Sequence, residues 1–221
     1  MKKILLSIMS LFLVATLTGC ANTSFTSGDQ NNNENTPEQD EQNPEAISFT
    51  TKIDADYEVN MKFENYGTVV LELDEDKAPE TVKNFVSLVE EGFYDGLTLH
   101  RIMAGFMMQG GDPTGTGYSG SDKEIYGEFA ANGFFQNNLS HTRGAISMAR
   151  SQNPDSASSQ FFIVHENSEF LDGSYAAFGY VVKGMEIVDA ICNDAQPTDN
   201  NGTIPAESQP VITKVSVRPL K

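Results

Sequence analysis

YEVNMKFENYGTVVLELD, residues 57–74, alternates apolar and polar side chains on either side of the segment 64–67. Alternation with a period of two is typical of a β-strand with one buried face. A glycine-containing tetrapeptide between two such runs indicates a tight turn. The stretch therefore predicts two antiparallel strands joined as a hairpin.

Two helices are predicted after this hairpin. The first covers residues 78–92, with a proline at the first helical position and Gly92 at its end. The second covers residues 184–193. The side chains expected to face inward are Val82, Phe85, Val86 and Val89 in the first helix, and Met185, Val188 and Ile191 in the second.

Short apolar-rich runs separated by glycine-rich connections make up much of the remaining chain, at residues 98–102, 106–109, 145–149, 160–164, 177–182 and 211–217. Many short strands with only two helices favour a mainly β fold, in which an antiparallel sheet closes into a barrel and the helices cover its ends. A two-sheet sandwich would produce much the same pattern. The pattern alone leaves both architectures open.

The N-terminus has the features of an export signal. Lys2 and Lys3 precede an apolar run, residues 4–17, that is too short to span a bilayer comfortably and ends in LTGC. That quartet resembles a bacterial lipobox, in which the cysteine, Cys20, is acylated and becomes the mature N-terminus. We therefore expect a lipoprotein signal peptide at residues 1–19. An ordinary signal cut near Ala21 and a buried N-terminal helix are the alternatives.

Residues 20–46 are predicted to be a lipid-anchored, disordered linker. Asn, Gln, Glu, Asp and Pro dominate this segment, which cannot bury enough apolar surface to offset the entropy lost on ordering. Residues 47–221 then form one folded domain. The expected localisation is the extracytoplasmic face of the cell membrane.

The charge balance excludes some partners. The chain of 221 residues has a formal net charge of −17, which becomes −19 if Lys2 and Lys3 leave with the signal. This excess of acid repels nucleic acid and anionic lipid headgroups, so membrane attachment would have to come from lipid on Cys20. The other cysteine, Cys192, is predicted to be a small buried hydrophobe.

Several kinds of catalytic site lack their residues here. His100, His141 and His165 do not have the spacing of metal ligands, so no metal and no cofactor is predicted. The glycine-rich segment 110–122 lacks the lysine of a phosphate-binding loop. The serine-rich segment 151–160 contains no nucleophile elbow, which argues against a hydrolase.

Three segments dense in Phe and Met indicate a different kind of site: HRIMAGFMMQGGD (100–112), HTRGAISMARSQNPDSASSQFFIVHENSEFLDG (141–173) and YAAFGYVVKGMEIVDAI (175–191). They combine Arg101 with two glutamines, Gln109 and Gln160. A shallow apolar pocket edged by an arginine and amides suits a neutral, partly apolar group flanked by peptide bonds. Alternatively, the Phe and Met residues form the core and Arg101 lies on the surface.

The motifs GFMMQGGD, SMA, SSQFFI, FLDG and FG occur in this order and resemble those of the cyclophilin family of peptidyl-prolyl isomerases. The resemblance extends from about residue 57 to the C-terminus. It implies a closed, eight-stranded antiparallel β-barrel capped by two α-helices, and a monomer. It also implies an activity, the acceleration of cis-trans rotation about X-Pro bonds in proline-containing polypeptides.

The resemblance also assigns a site. Arg101 falls on the catalytic arginine, and Gln109 and Gln160 fall on the amides that hold the substrate backbone and orient the arginine. The residues implied to bind the proline ring and the peptide backbone are Phe106, Met107, Phe162 and Leu171 for the ring, and Ala149 and Arg150 for the backbone.

Three positions depart from well-known members. Phe170 and Tyr175, on the pocket rim, stand where tryptophan and histidine are frequent, and Arg150 replaces a frequent asparagine. Because the tryptophan is associated with cyclosporin binding, the resemblance does not carry cyclosporin sensitivity over to this chain. The family uses the backbone at position 150, so the side chain there is expected to vary freely.

The sequence therefore predicts a peptidyl-prolyl isomerase that acts on newly exported proteins at the outer face of the membrane. A proline-peptide binding module or holdase with little turnover is the alternative. The presence of Arg101 with both glutamines favours the enzyme, because binding alone needs no cation aimed at the proline nitrogen. A lipoprotein that captures small solutes would be expected to have two lobes, for which the folded part is too short.

Overall fold

The computed structural model describes residues 47–221. The signal peptide, the acylation of Cys20 and the linker all lie outside the described residues. The division into residues 1–19, 20–46 and 47–221 therefore stays a prediction. Within residues 47–221, no helix combines the length and the apolar character needed to cross a membrane.

The predicted hairpin is confirmed. β1 (Tyr57–Phe63) and β2 (Gly67–Leu73) pair in antiparallel register from Tyr57↔Leu73 to Phe63↔Gly67. The turn between them contains Asn65 at φ +61°, a left-handed conformation that asparagine adopts more readily than most residues. Every second side chain of the hairpin is buried, so one continuous apolar face meets the core: Val59, Met61, Phe63, Val69, Leu71 and Leu73.

The other predicted strands and both helices are present, with boundaries shifted by a residue or two. The strands are β3 (Leu99–Met103), β4 (Met107–Gly110), β5 (Ala145–Met148), β6 (Phe161–Val164), β7 (Ala177–Lys183) and β8 (Ile212–Pro219). The helices are α1 (Pro79–Glu90), with its proline in the first turn, and α2 (Met185–Asp194). Short 3-10 helices occur at Ala130–Asn132, Glu169–Leu171 and Ala206–Ser208.

The predicted closure of the barrel is wrong. The eight strands form one open, curled sheet, a half-barrel in the order β3-β4-β6-β5-β7-β2-β1-β8. The loop before β8 takes the place beside β3 that a closing strand would occupy: Ile102 N–H donates to Gly202 O at 2.8 Å, and Ile204 N–H donates to His100 O at 3.0 Å. The start of β8 and the two residues before it meet this side at residues 96–99, where Gly96 N–H donates to Ile212 O and Leu99 N–H donates to Pro210 O. The sandwich is excluded as well, because all eight strands belong to one sheet.

The core contains an aromatic cluster centred on Phe85 of α1. Its ring centroid lies 5.0 Å from Tyr94, 5.8 Å from Phe161 and 5.2 Å from Phe178, and all four side chains are fully buried. Tilted and edge-to-face contacts of this kind stabilise a core beyond the area that they bury. The cluster fastens α1 to the sheet. Cys192 of α2 is buried as predicted, and burial raises the pKa of its thiol to about 12.

The N-terminus of α1 is capped by a residue that is distant in the sequence. Ala78, at the N-cap position, has no side chain that could accept a hydrogen bond from the first turn. The buried carboxylate of Glu128 supplies the acceptors instead: Glu80 N–H donates to Oε1 at 2.9 Å and Thr81 N–H donates to Oε2 at 2.8 Å. A carboxylate at this end of a helix also interacts favourably with the helix dipole.

We expect Glu128→Ala to lower the free energy of unfolding by about 1.5–3 kcal/mol, because two buried N–H groups lose a charged acceptor. Urea denaturation followed by circular dichroism measures the change. Glu124→Ala removes an exposed carboxylate from the same loop and serves as the matched control. Equal stabilities of the two variants would show that the cap contributes nothing.

Candidate active site

Most of the predicted site residues line one cavity of about 430 Å³. The cavity lies between strands β3, β4 and β6, the loops around residues 116–118 and 201–203, and the segment 171–175. The predicted residues in its lining are Arg101, Phe106, Met107, Gln109, Ala149, Arg150, Phe162, Leu171 and Tyr175. Gln160 lies behind Gln109, and Phe170 lies outside the lining with its ring centroid 5.7 Å from that of Phe106.

Arg101 is half-buried and held on three sides. It is paired across β3 and β4 with Gln109, whose Oε1 accepts from Arg101 Nη1 at 3.2 Å. Arg101 Nε donates to Asn201 O at 2.7 Å, and Nη2 lies 3.2 Å from Met103 Sδ. Burial lowers the pKa of the Arg101 guanidinium, while Tyr175 and Asp199 act in the opposite direction. An arginine stays protonated in spite of such a shift, so the site contains a fixed cation.

Two glutamines form a directional relay behind the arginine. Gln109 Nε2 donates to Gln160 Oε1 at 2.9 Å, and Gln160 Nε2 donates to Ser119 O at 2.6 Å and to Gly117 O at 3.1 Å. Because the two carbonyls can only accept, the orientation of both amides is fixed, and Gln109 must present its oxygen to Arg101. The loop carbonyls therefore set the position of the guanidinium through two side chains.

The apolar part of the cavity is formed by alternate residues of neighbouring strands. Phe162 lines the cavity, whereas Phe161 points to the opposite face of β6 and belongs to the aromatic core. Met107 and Phe162 are buried in a second, smaller cluster that Phe106 and Leu171 pack against. The alternative interpretation of these side chains as core is thus correct for Phe161, while Met107 and Phe162 are buried and also line the cavity.

A buried polar network supports this wall and was not predicted. His141 Nδ1 lies 2.9 Å from Asp172 Oδ1, and His141 Nε2 lies 2.9 Å from Ser147 Oγ. Burial raises the pKa of Asp172, but hydrogen bonds from His141 and Ser140 lower it by more, so the carboxylate stays charged. The order Ser-His-Asp is that of a hydrolase triad, yet Ser147 is completely buried and cannot reach a substrate. The His141 ring instead stacks on Phe162, with 6.0 Å between centroids.

Sequence reasoning also missed the role of the Arg150 side chain. Its guanidinium lies between two rings, 4.9 Å from the centroid of Phe129 and 4.6 Å from that of Tyr175, and Nη2 donates to Ser174 O at 2.7 Å. These contacts hold the Arg150 side chain in place. Further cavity residues that the motifs gave no sign of are His100, Thr116, Gly117, Tyr118, Asn201 and Thr203.

The fold is thus a curled half-barrel of eight antiparallel strands, with a fixed guanidinium beside an apolar wall in its main candidate cavity. The family model described as "Cyclophilin type peptidyl-prolyl cis-trans isomerase/CLD" matches residues 58–217. The chain belongs to the family of cyclophilin-type peptidyl-prolyl cis-trans isomerases and is an enzyme of the isomerase class.

Relatives and solved structures agree with this assignment. The chain is 43% identical over 143 residues to a peptidyl-prolyl cis-trans isomerase of Acinetobacter baylyi, covering 62% of this chain and 72% of the relative. It is 41% identical over 135 residues to peptidyl-prolyl cis-trans isomerase B of Escherichia coli, covering 58% and 79%. A cyclophilin-type isomerase of Cryptosporidium parvum, crystallised in the presence of the dipeptide Ala-Pro, superposes with a TM-score of 0.63 at 30% identity, covering 73% of this chain and 98% of that one.

We expect Gln160→Glu to lower kcat/KM by about tenfold or more, because a carboxylate oxygen would replace the donor that faces two carbonyls and an unpaired charge is costly. The measurement is the cis-to-trans rate of an Ala-Pro peptide. Gln152→Glu adds the same charge at an exposed position of the neighbouring loop and is the control. If both variants retained full activity, the relay would not orient Arg101.

Proposed function

We propose that this cavity accelerates X-Pro rotation, with Arg101 as the group that stabilises the twisted amide. The observation that carries the proposal is the position of the guanidinium, fixed by Gln109 and Asn201 at the edge of a cavity with an apolar wall. Phe106, Met107, Phe162 and Leu171 would hold the ring. The edge at Ala149 and Arg150 would pair with the peptide backbone.

The chemistry requires no nucleophile. Rotation about an X-Pro bond must break amide resonance, and without a catalyst it takes tens to hundreds of seconds. In the twisted transition state the proline nitrogen regains its lone pair, which can then accept a hydrogen bond that the planar amide could not. A cation at that point binds the transition state better than the ground state, which is the condition for a higher rate.

The required stabilisation is within reach of such a site. Turnover in milliseconds needs an acceleration of about 10⁴- to 10⁵-fold, or about 5.5–7 kcal/mol. One preorganised donor contributes about 2.7–4 kcal/mol. The remainder would come from holding the ring while the preceding carbonyl rotates, and from the apolar lining, because a twisted amide is less polar than a planar one.

Arg101→Ala should reduce kcat/KM for an Ala-Pro peptide by about 10²- to 10³-fold, the loss expected when one preorganised donor is removed. The assay follows the cis-to-trans rate with and without the full chain. Arg218→Ala is the matched control, because Arg218 is exposed on β8 and pairs only with Glu58 among the described residues. Its activity should equal that of the parent.

The result also separates the two functional hypotheses. A parent protein that binds proline peptides without accelerating their rotation would favour the binding module or holdase. Full activity in Arg101→Ala would leave the isomerase but remove Arg101 from its mechanism.

We propose further that the protein is a monomeric lipoprotein that acts on newly exported, proline-containing polypeptides outside the cell membrane. The support is in the sequence: Lys2 and Lys3, the apolar run 4–17, the LTGC quartet and the acidic, Asn-rich segment that follows. Acyl chains on Cys20 would hold the enzyme at the surface, since each buried methylene contributes about 0.8 kcal/mol. The net charge of −17 gives no electrostatic attraction to anionic lipid.

Labelling of growing bacteria with an alkyne analogue of palmitate tests the anchor. We expect the full chain to incorporate the label and to sediment with membranes, and Cys20→Ala to lose both properties. Cys192→Ala changes the only other cysteine and should label like the parent. A labelled Cys20→Ala variant, or an unlabelled parent, would contradict lipidation at this residue.

A further inference from the structure

Phe106, which forms one wall of the cavity, lies at the turn between β3 and β4, where the backbone is exposed. Ala104 and Gly105 face solvent, and the turn closes through a hydrogen bond from Phe106 N–H to Met103 O at 2.9 Å. Phe106 lines the cavity, with its ring centroid 6.0 Å from the guanidinium carbon of Arg101. The position of this turn therefore affects both the wall and the cation.

His165, just after β6, fastens the turn to the body of the protein. Its backbone N–H donates to Phe106 O at 2.8 Å, and its ring nitrogen Nδ1 accepts from Gly105 N–H at 2.8 Å. Because a backbone N–H can only donate, Nδ1 carries no hydrogen, and the ring proton of the neutral imidazole is on Nε2. The His165 side chain is 10% exposed.

Charged groups around His165 favour this arrangement. Nε2 lies 3.2 Å from Asp189 Oδ1 on α2, which fixes the tautomer. Asp189 is itself held by Arg143, whose Nη2 donates to both carboxylate oxygens at 2.7 and 2.8 Å. Arg143 Nη1 also donates to His165 O at 2.7 Å and lies 3.6 Å from Glu166 Oε1. The charge of Asp189 is thus compensated by Arg143.

We propose that His165 is a positioning residue for Phe106, and that loss of its ring acceptor loosens the turn and weakens substrate binding. The bond from Gly105 N–H to Nδ1 fixes the residue that precedes Phe106. Without the ring, the turn keeps the backbone bonds of Phe106 to Met103 and His165 but loses its side-chain anchor.

The inference rests on the proposed activity of the cavity, and kinetics of two variants at neutral pH test it. For the full chain acting on an Ala-Pro peptide, we expect His165→Ala to raise KM by about two- to tenfold, the net worth of one hydrogen bond. The value of kcat should change less. His165→Asn places an amide oxygen near the Nδ1 position, so KM should return to that of the parent.

A purely structural role for His165 would instead lower the stability of both variants and leave KM as it is in the parent. The amide resonance of Gly105 in a ¹H–¹⁵N spectrum gives a readout besides activity. It should shift in His165→Ala and stay near the parent position in His165→Asn. An unchanged KM in His165→Ala, or a Gly105 resonance that does not shift in that variant, would overturn the proposal.

Two further outcomes are covered by this design. If His165→Ala does not fold, His165→Leu, which fills the space without supplying an acceptor, takes its place. If the parent accelerates no proline rotation at neutral pH, the proposed function fails. The Gly105 resonance in the variants then continues to test whether His165 holds the turn.

Discussion

The register of β3, β4 and β6 is the constraint on which the site depends. Arg101 lies opposite Gln109, and Gln109 lies opposite Phe162, so the cation, the amide and the apolar wall share one face of three neighbouring strands. Each of these residues has a neighbour on its own strand that points to the opposite face: Ile102, Met108 and Ile163. These three are also aligned with one another and are completely buried. A slip of one residue would exchange the two faces and place a guanidinium in the core. Core packing therefore specifies the active-site geometry.

Much of the fold could be predicted because its signals are local. The alternation in residues 57–74 and the proline and apolar stripe of α1 need no tertiary information. Closure was mispredicted because it depends on residues 199–204, a segment without periodicity. Its conformation is fixed by Asp199, whose carboxylate accepts from Thr203 N–H and Asn201 N–H, both at 3.0 Å. No pattern in the sequence indicates that such a loop will lie along the edge of the sheet.

In the candidate site, too, local motifs were predictable, whereas contacts between distant residues were not. The motifs around Arg101 and Gln109 were recognisable, but pattern alone could not tell which of two adjacent phenylalanines would face a substrate. The contact of His141 with Ser147 and Asp172 joins residues whose spacing resembles no known motif, so only the folded chain reveals it. That network is fully paired and lies beneath Phe162, and paired polar groups in a low-dielectric interior are rigid. The cavity thus has one wall that rests on a rigid network and another, at the β3–β4 turn, that is held by backbone hydrogen bonds and by the His165 ring.

The loop at residues 199–204 also affects how this protein would lose its activity. Edge strands are templates for pairing with other chains, and the loop at residues 199–204 covers the five-residue edge of β3 while its Asn201 carbonyl holds Arg101. Cleavage or misfolding of this loop would expose the edge of β3 to pairing with other chains. It would also remove the Asn201 carbonyl that holds Arg101. Molecules that lose activity in this way would therefore also become prone to aggregation.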